Sequence, residues 1–398
     1  MTIYSHDKPS YRTEVLSMLS WFCADKVKNA KVMVVGAGAL GNEALKNLAL
    51  FGIGNVVIVD FDRIEHSNLT RSVLFRAEDA DNNSFKAEVA AKKIKEITPD
   101  INAIPVCGNL FTDVGLGLYR RMDVIIGCLD NLQSRILLNR LCFRAGKAWV
   151  DGAIGDLEGQ VSVYSPGQNC YECNLTDEEK QDLDRRMSCA GVVKMHESAG
   201  RVATTPISAS IIAAVQVQEA MKIIHSETTS FTTLTGKLFV YEGAHPSVDI
   251  YNFSTDDPEC LAHELWELVL EITELSADTS ILQALDIIKK TLDVDSVEIN
   301  MRNDKFVDKI VSRKSNRSFL PMLPESKIDD FINNDEEIRD LQANEGFFQN
   351  SYENLYDAFP YPHLSLKQTG IPYFDILQVS TEKGLYYVEL SDDKKYYE

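Results

Sequence analysis

Two short cysteine-containing runs stand out in this 398-residue chain: Cys170-Tyr171-Glu172-Cys173, a CxxC, and Cys260-Leu261-Ala262-His263, a CxxH far downstream. Two ligand pairs separated by a folded stretch suit a closed tetrahedral zinc site that clamps the chain's return onto its own core. The competing readings are a redox CxxC, for which no thioredoxin-like context precedes the motif, and a site with only three good ligands and a chance histidine. A third thiol differs in setting. Cys189 lies in Arg185-Arg186-Met187-Ser188-Cys189-Ala190-Gly191, inside the polar stretch from Thr176 to Gly200. Neighbouring cations favour the thiolate, which is the nucleophilic form, so Cys189 reads as reachable and reactive; the alternative is a cysteine that merely occupies a loop. Cys23, Cys107, Cys128 and Cys142 fall within apolar patterns and read as core residues.

The second group of chemical residues is organised around glycine. Gly36, Gly38 and Gly41 lie between the apolar run Lys31–Val35 and a helical pattern, where glycine admits close backbone approach and a helix N-terminus favours an anion. The next apolar run ends in Asp60-Phe61-Asp62, which places a carboxylate where a ribose hydroxyl would be received. On that spacing alone an NAD-dependent dehydrogenase is the first reading. Asn68, Arg71 and Lys86 then add an amide and two cations, the donors that a departing pyrophosphate requires as charge develops on it. Cys128-Leu129-Asp130-Asn131 follows a fourth apolar run, and Asp130 is suited to hold magnesium. Against this stands a plainer reading, with Arg71 and Lys86 as solvated charges and Asp130 as a helix N-cap.

Positioning these groups requires an open parallel sheet. From Lys31 to Asp151 β-branched runs alternate with amphipathic helical stretches, the pattern of a Rossmann-like, doubly wound α/β domain. Further strands are expected at Gln160–Tyr164, Lys237–Tyr241 and Val248–Phe253, with a long helix over 207–224. The expected organisation is a nucleotide-binding α/β domain over 1–255 with a crossover segment at 174–205, a connector carrying zinc ligands at 256–264, and a small C-terminal α+β unit over 265–398. In that last unit strands at Leu265–Thr273 and Val297–Met301 flank a helix at Ser280–Thr291, an acidic loop region runs from Ser326 to Glu353, and Phe374–Val379 and Leu385–Leu390 close the pattern.

The stretches GAGALGNEALKNLALFGIGNVVIVDFDRIEHSNLTRSVLF, KAEVAAKKI, GCLDN and DGAIGDLEGQVSVYSPG resemble the adenylation domain of ubiquitin-like-modifier activating enzymes and their ThiF/MoeB/HesA relatives, over roughly residues 10 to 255. The resemblance implies ATP and magnesium as cofactors and adenylation of the C-terminal glycine of a ubiquitin-like protein. It makes Asp60 similar to the ribose-binding aspartate, Asn68, Arg71 and Lys86 to the phosphate contacts, and Asp130 to the magnesium or adenylate aspartate. It also implies a thioester on Cys189, and makes Arg12 the nearest counterpart of an N-terminal active-site arginine. The loop Asp81-Asn82-Asn83-Ser84-Phe85 departs from the family's usual Gly-x-x-Lys approach to the lysine. The C-terminal unit looks like the β-grasp-like domain that recruits a conjugating enzyme, and a homodimer is implied. Three other functions stay open: a sulfur-carrier adenylyltransferase that stops at the acyl-adenylate, an NAD-dependent oxidoreductase, and a non-catalytic partner subunit.

A net charge of -20 argues against nucleic acid and anionic membranes as partners. The apolar runs are strand-sized, the polar start lacks a signal-type segment, and cysteines without a secreted-type framework suggest a cytoplasmic chain, so no membrane span is expected. The final Lys395-Tyr396-Tyr397-Glu398 has no diglycine, so the C-terminal unit is not expected to be a transferable modifier itself.

Overall fold

The computed structural model describes residues 15–176, 178–179, 204–253, 257, 260–301 and 304–392. Its larger sheet has eight strands: β1 (Lys31–Val35), β2 (Asn55–Val59), β3 (Asn102–Val106), β4 (Val124–Gly127), β5 (Trp149–Ile154), β6 (Glu158–Tyr164), β7 (Lys237–Glu242) and β8 (Ser247–Asn252). They lie in the order β3-β2-β1-β4-β5-β6-β7-β8. The first five are parallel and the last three antiparallel. The parallel strands read as continuous apolar runs because both faces are covered. Val32, Val34, Val56 and Ile58 enter one buried cluster, while Met33, Val35, Val57 and Val59 enter a second on the other face.

Among the described residues the longer helices on this sheet are α1 (Ala39–Phe51), α2 (Lys86–Ile97), α4 (Leu132–Arg144) and α5 (Pro206–Ile224), with the short α3 (Leu116–Arg121) between α2 and α4 in the chain. Helix α1 ends at Gly52, whose φ of 78° supplies the left-handed conformation that caps a helix C-terminus. Helix α5 begins with Thr205, whose hydroxyl accepts a hydrogen bond from the Ser208 amide, and with Pro206 in its first turn. At 19 residues α5, the long helix expected over 207–224, is long and apolar enough to cross a membrane by length and composition, although its continuous apolar run is only Ile211–Val215. In the fold it is a core helix. Ile212, Ala213, Val217 and Ala220 are buried against the sheet, and the carboxylate of the buried Glu219 is held by the Leu234 amide and Lys222.

The C-terminal part opens with β9 (Val269–Ile272), α6 (Ile281–Leu292) and β10 (Val297–Asn300), then adds β11 (Phe306–Ser312), β12 (Ser318–Phe319) and β13 (Leu323–Pro324). Helices α7 (Ile328–Asn333) and α8 (Glu336–Glu345) precede β14 (Phe347–Tyr352), β15 (Asn354–Leu355), β16 (Ile376–Thr381) and β17 (Gly384–Leu390). A five-stranded sheet runs β15-β10-β16-β17-β9, with its first and last strands in sequence, β9 and β17, paired in parallel, and without the β9–β10 hairpin that would open a β-grasp. A second small sheet gathers β12, β13 and β14 around β11. The acidic region expected to be a loop is therefore two helices and a strand. Ile328, Ile332 and Ile338 bury against Val307 and Ile310, and Asp335 caps α8 by accepting from the Ile338 amide; three apolar anchors outweigh the acidic surface.

The two parts meet at α3. The Leu116 amide donates to Asp375 at 2.9 Å and the Gly117 amide to the Phe374 carbonyl at 2.8 Å, while Arg120 and Arg121 both pair with Glu389. A Cβ on Gly115 would strike the Tyr373 carbonyl, and one on Gly117 the Phe374 carbonyl. Trp266 stacks on Tyr387 with centroids 4.2 Å apart.

Candidate functional site

The strand order reverses between β1 and β4, which opens a crevice at their carboxyl ends, the place where doubly wound sheets receive ligands. The glycine turn fills one side of it. Gly36 has φ of 94°, and a Cβ on it would strike the Cys128 carbonyl; a Cβ on Gly41 would strike the carbonyl of Gly36. Gly38, the N-cap of α1, has nothing within 4 Å of where a Cβ would stand. Two of the glycines are thus demanded by packing, and the third leaves open space at a helix N-terminus, where backbone N–H groups suit phosphate. The glycine turn leaves room for a nucleotide on this count.

Asp60 follows β2 and ties the turn to its own loop, accepting from the Ala37 amide at 2.6 Å and the Asp62 amide at 2.8 Å. Burial raises the Asp60 pKa above the ordinary carboxylate value, opposed by the charge of Lys86 and the Ala37 hydrogen bond. Lys86 is the first residue of α2, and its mostly buried side chain reaches Asp62 at 2.7 Å. The unusual loop before it is anchored by Arg63, which stacks on the Phe85 ring at 3.8 Å and donates to the Asn83 carbonyl at 2.6 Å. Asn68 lies in the 3-10 turn His66–Thr70 and caps it by accepting from the Glu65 amide at 2.9 Å; Arg71 donates back to the Ser67 carbonyl at 3.0 Å.

Across the crevice, Asp130 accepts a hydrogen bond from Asn131 at 3.1 Å. The cap of α4 is Asn131, which accepts from the Ser134 amide at 2.8 Å, so the cap role open to Asp130 falls to its neighbour. Cys189 and Arg12 lie outside the described residues. Of the thiols expected in the core, Cys128 and Cys142 are buried, whereas Cys23 is half-buried and Cys107 is exposed. Cys107 sits just past β3, the edge strand, where the chain leaves the sheet.

Three buried polar residues escaped the sequence reading. Asn42 donates to the Ala37 and Gly38 carbonyls at 2.7 and 3.0 Å and accepts from the Leu74 amide, pinning the glycine turn to the loop after Arg71. Arg135 pairs with the buried Asp151, and Gln216 is fully buried on α5. Each is a polar side chain in a helix otherwise apolar on that face, which is the signal that would have found it.

The second site lies beside α4, where the segment after β6 meets the turn Leu261–His263. The ligating atoms of Cys170, Cys173, Cys260 and His263 all lie within 4.8 Å of one another. The Cys170 sulfur is 3.6 Å from that of Cys173 and 3.7 Å from that of Cys260, and Cys173 is 3.4 Å from the His263 Nε2. A tetrahedron with metal–sulfur bonds of about 2.3 Å has edges near 3.8 Å, so this cluster can hold a metal ion of that kind. His263 stacks on Phe143 with centroids 5.2 Å apart, and the bidentate pair Arg140–Glu172 stands beside the thiols. Burial pushes the Cys170 and Cys260 thiols up, so thiolates there require compensating positive charge, which a divalent cation and Arg140 would supply.

Fold and crevice together define an α/β protein of the Rossmann-like adenylation class. The chain belongs to the ThiF family, whose model matches residues 16–262. It is 31% identical over 235 residues to the SAMP-activating enzyme E1 of Haloferax volcanii, covering 59% of this chain and 80% of that enzyme. It is 32% identical to the sulfur carrier protein adenylyltransferase of Thermus thermophilus, over 56% of this chain and 78% of that protein. A third relative, the SUMO-activating enzyme subunit uba-2 of Caenorhabditis elegans, is 36% identical over 37% of this chain, which spans only 26% of that subunit. Among solved structures, Escherichia coli MccB with ATP superposes with a TM-score of 0.51 at 22% identity, covering 65% of this chain and 75% of MccB; the likeness is one of fold.

Proposed function

We propose that this chain uses ATP to adenylate the C-terminal glycine of a ubiquitin-like protein, and then passes the acyl group to Cys189, whose thiolate attacks the acyl carbon and forms a thioester as AMP leaves. The observation that carries the reading is the juxtaposition of the Gly36–Gly41 turn, Asp60, the Lys86–Asp62 pair and Asp130 around one crevice of a ThiF-family domain. In this reading the substrate's carboxylate attacks the α-phosphorus and the bond to pyrophosphate breaks. Asp60 receives the ribose, and the N-terminus of α1 takes phosphate. Lys86 and Arg71, with Asn68, offset the charge that grows on the departing pyrophosphate, the stabilisation that contributes most in such sites. Asp130, assisted by Asn131, would hold magnesium, which would supply positive charge to screen the phosphates. The Cys3His cluster would hold a structural zinc at the joint between an adenylation domain ending near residue 255 and the C-terminal unit. That unit would present the thioester to a conjugating enzyme, and the working form would be a homodimer in the cytoplasm.

A second reading, an adenylyltransferase for a sulfur-carrier protein that stops at the acyl-adenylate, is favoured by the similarity to the Thermus protein along 78% of its length. One experiment separates the two. The full chain is incubated with magnesium, ATP and candidate diglycine-ended proteins, and followed by ATP–pyrophosphate exchange and by gels with and without reductant. The thioester reading expects an adduct that reductant removes and that Cys189→Ala abolishes while exchange persists. Exchange without any adduct selects the sulfur-carrier reading, and Asp130→Ala should lower exchange by roughly 10²–10³-fold in either case.

A further inference from the structure

Strands β4 and β5 part company just where the site begins. Their last paired residues are Gly127 and Asp151, and beyond that point the chain runs into Cys128-Leu129-Asp130 on one side and Gly152 on the other. Carbonyls at a strand end have no sheet partner and must be satisfied otherwise. Here two side chains, one from each face, reach four carbonyls: Arg135 takes two that lie beyond the last β4–β5 pair, and Gln216 adds a hydrogen bond to two within the ladder. Arg135, on α4, donates through Nη2 to the Leu129 carbonyl at 2.7 Å and the Gly152 carbonyl at 3.3 Å, while its Nε donates to Asp151 at 3.2 Å. Gln216, on α5, donates through Nε2 to the Gly127 carbonyl at 2.8 Å and the Val150 carbonyl at 3.2 Å.

The two helices lie on opposite faces, because α4 buries Leu138 and Leu141 in one core cluster and α5 buries Ile212 and Val217 in the other. Gly152 is required by this arrangement, since a Cβ there would collide with the Gln216 side chain. A buried guanidinium paired with a buried carboxylate is weak support for stability as such, because desolvation of both charges offsets much of their attraction. Its effect on geometry is stronger: five donor–acceptor contacts fix the strand ends on which Asp130 is mounted.

We propose that Arg135 and Gln216 are positioning residues, a two-sided clasp that aims Asp130 into the crevice and thereby sets the affinity of the site for metal-bound nucleotide. The proposal rests on the reading that Asp130 serves ATP and a divalent cation. The clasp also gives α5, which follows the segment containing Cys189 in sequence, a rigid link to the strand ends of the nucleotide site.

The test uses the full chain and two variants, Gln216→Leu and the double substitution Arg135→Met with Asp151→Asn, which leaves no buried charge orphaned. Two measurements are made: amide hydrogen exchange without ligand, and equilibrium binding of ATP with and without magnesium. In both variants exchange across residues 128–134 should quicken about tenfold, the size of one ordinary hydrogen bond, while Val32–Val35 and Val56–Val59 keep their protection. Affinity for ATP should fall about tenfold with magnesium present and by less than about twofold without it. Faster exchange throughout the sheet, or unchanged magnesium-dependent affinity, would overturn the clasp and leave Arg135 and Gln216 as stabilising residues only. A wild-type chain that binds no ATP overturns the functional reading, and the exchange pattern still decides whether the clasp holds the strand ends.

Discussion

Asp62 and Asp151, at strand ends of the eight-stranded sheet, stand beside cations, whereas the buried or half-buried Asp304, Asp308 and Asp392 of the C-terminal part are held by amide and hydroxyl donors. Asp62 holds Lys86, Asp151 holds Arg135, and Asp130 accepts from a side-chain amide. In the C-terminal part, Asp304 accepts from the amide and hydroxyl of Ser326, and Asp308 from Asn350 and the hydroxyls of Tyr352 and Tyr361. Asp392 there accepts from the amides of Ala277 and Phe374. The same residue type thus pairs with a cation in Asp62 and Asp151 and ties chain segments through amides and hydroxyls in Asp304, Asp308 and Asp392. Where the two regions meet, both uses appear, with Glu389 pairing two arginines and Asp375 receiving a helix amide.

The comparison breaks most visibly at the Cys3His cluster, which belongs to neither pattern and ties the end of β6 to the start of the C-terminal part. The purified chain is expected to carry about one zinc per polypeptide. Its removal by chelation should lower stability by about 4 kcal/mol, the linkage expected for a ligand held a thousandfold above its Kd. Elemental analysis and urea denaturation measure both. A metal-free chain whose midpoint ignores chelator would make the four residues an ordinary buried cluster.

How much of this was legible in the sequence follows the same division. The parallel strands announced themselves because burial on both faces demands unbroken β-branched runs, and Gly36 and Gly41 because packing against the Cys128 and Gly36 carbonyls excludes any side chain. The metal cluster was legible from two short spacings. Asn42, Arg135 and Gln216 were not, since their meaning lies in carbonyls that only the folded sheet brings within reach. The helices at 328–345 were masked by acidic residues that coat their outer surface, while three isoleucines spaced along them supply the burial. Cys107 was misread because an apolar run ending on an edge strand does not carry its burial past the last paired residue.

A smaller effect probes the seam between the regions. Gly115 is used for close approach, and Gly115→Ala drives a methyl against the Tyr373 carbonyl. The substitution should cost about 1–3 kcal/mol, the usual range for overpacking. Because the strain falls on the docking of α3 against the C-terminal part, the urea transition should split in two, with ATP binding retained after the first step. A single transition at the wild-type midpoint would show that the seam accommodates the methyl and that the two regions are not held by this approach.

The smallest effect tests whether carboxylates held by amides and hydroxyls behave as the comparison requires. Glu382 is fully exposed, yet the amides of Asp295 and Ser296 and the Ser296 hydroxyl all donate to it, at 2.9, 3.0 and 2.8 Å. Those backbone hydrogen bonds, the Asp295 amide foremost, lower its pKa from 4.5 to about 2. A depressed carboxylate stabilises the fold fully above its unfolded value and loses that contribution as pH falls through its folded value. The stability difference between wild type and Glu382→Gln should therefore be constant above pH 4.5 and shrink steadily toward about 2. Asp304 and Asp392 run the other way, because burial raises their pKa and their protonation at falling pH favours the folded state. Taking the difference between two chains that both retain them cancels that opposing trend. Paired urea titrations at stepped pH supply the curve, and a difference that stays flat down to pH 2 would mean that the β16–β17 turn is held to the loop before β10 without the charge of Glu382.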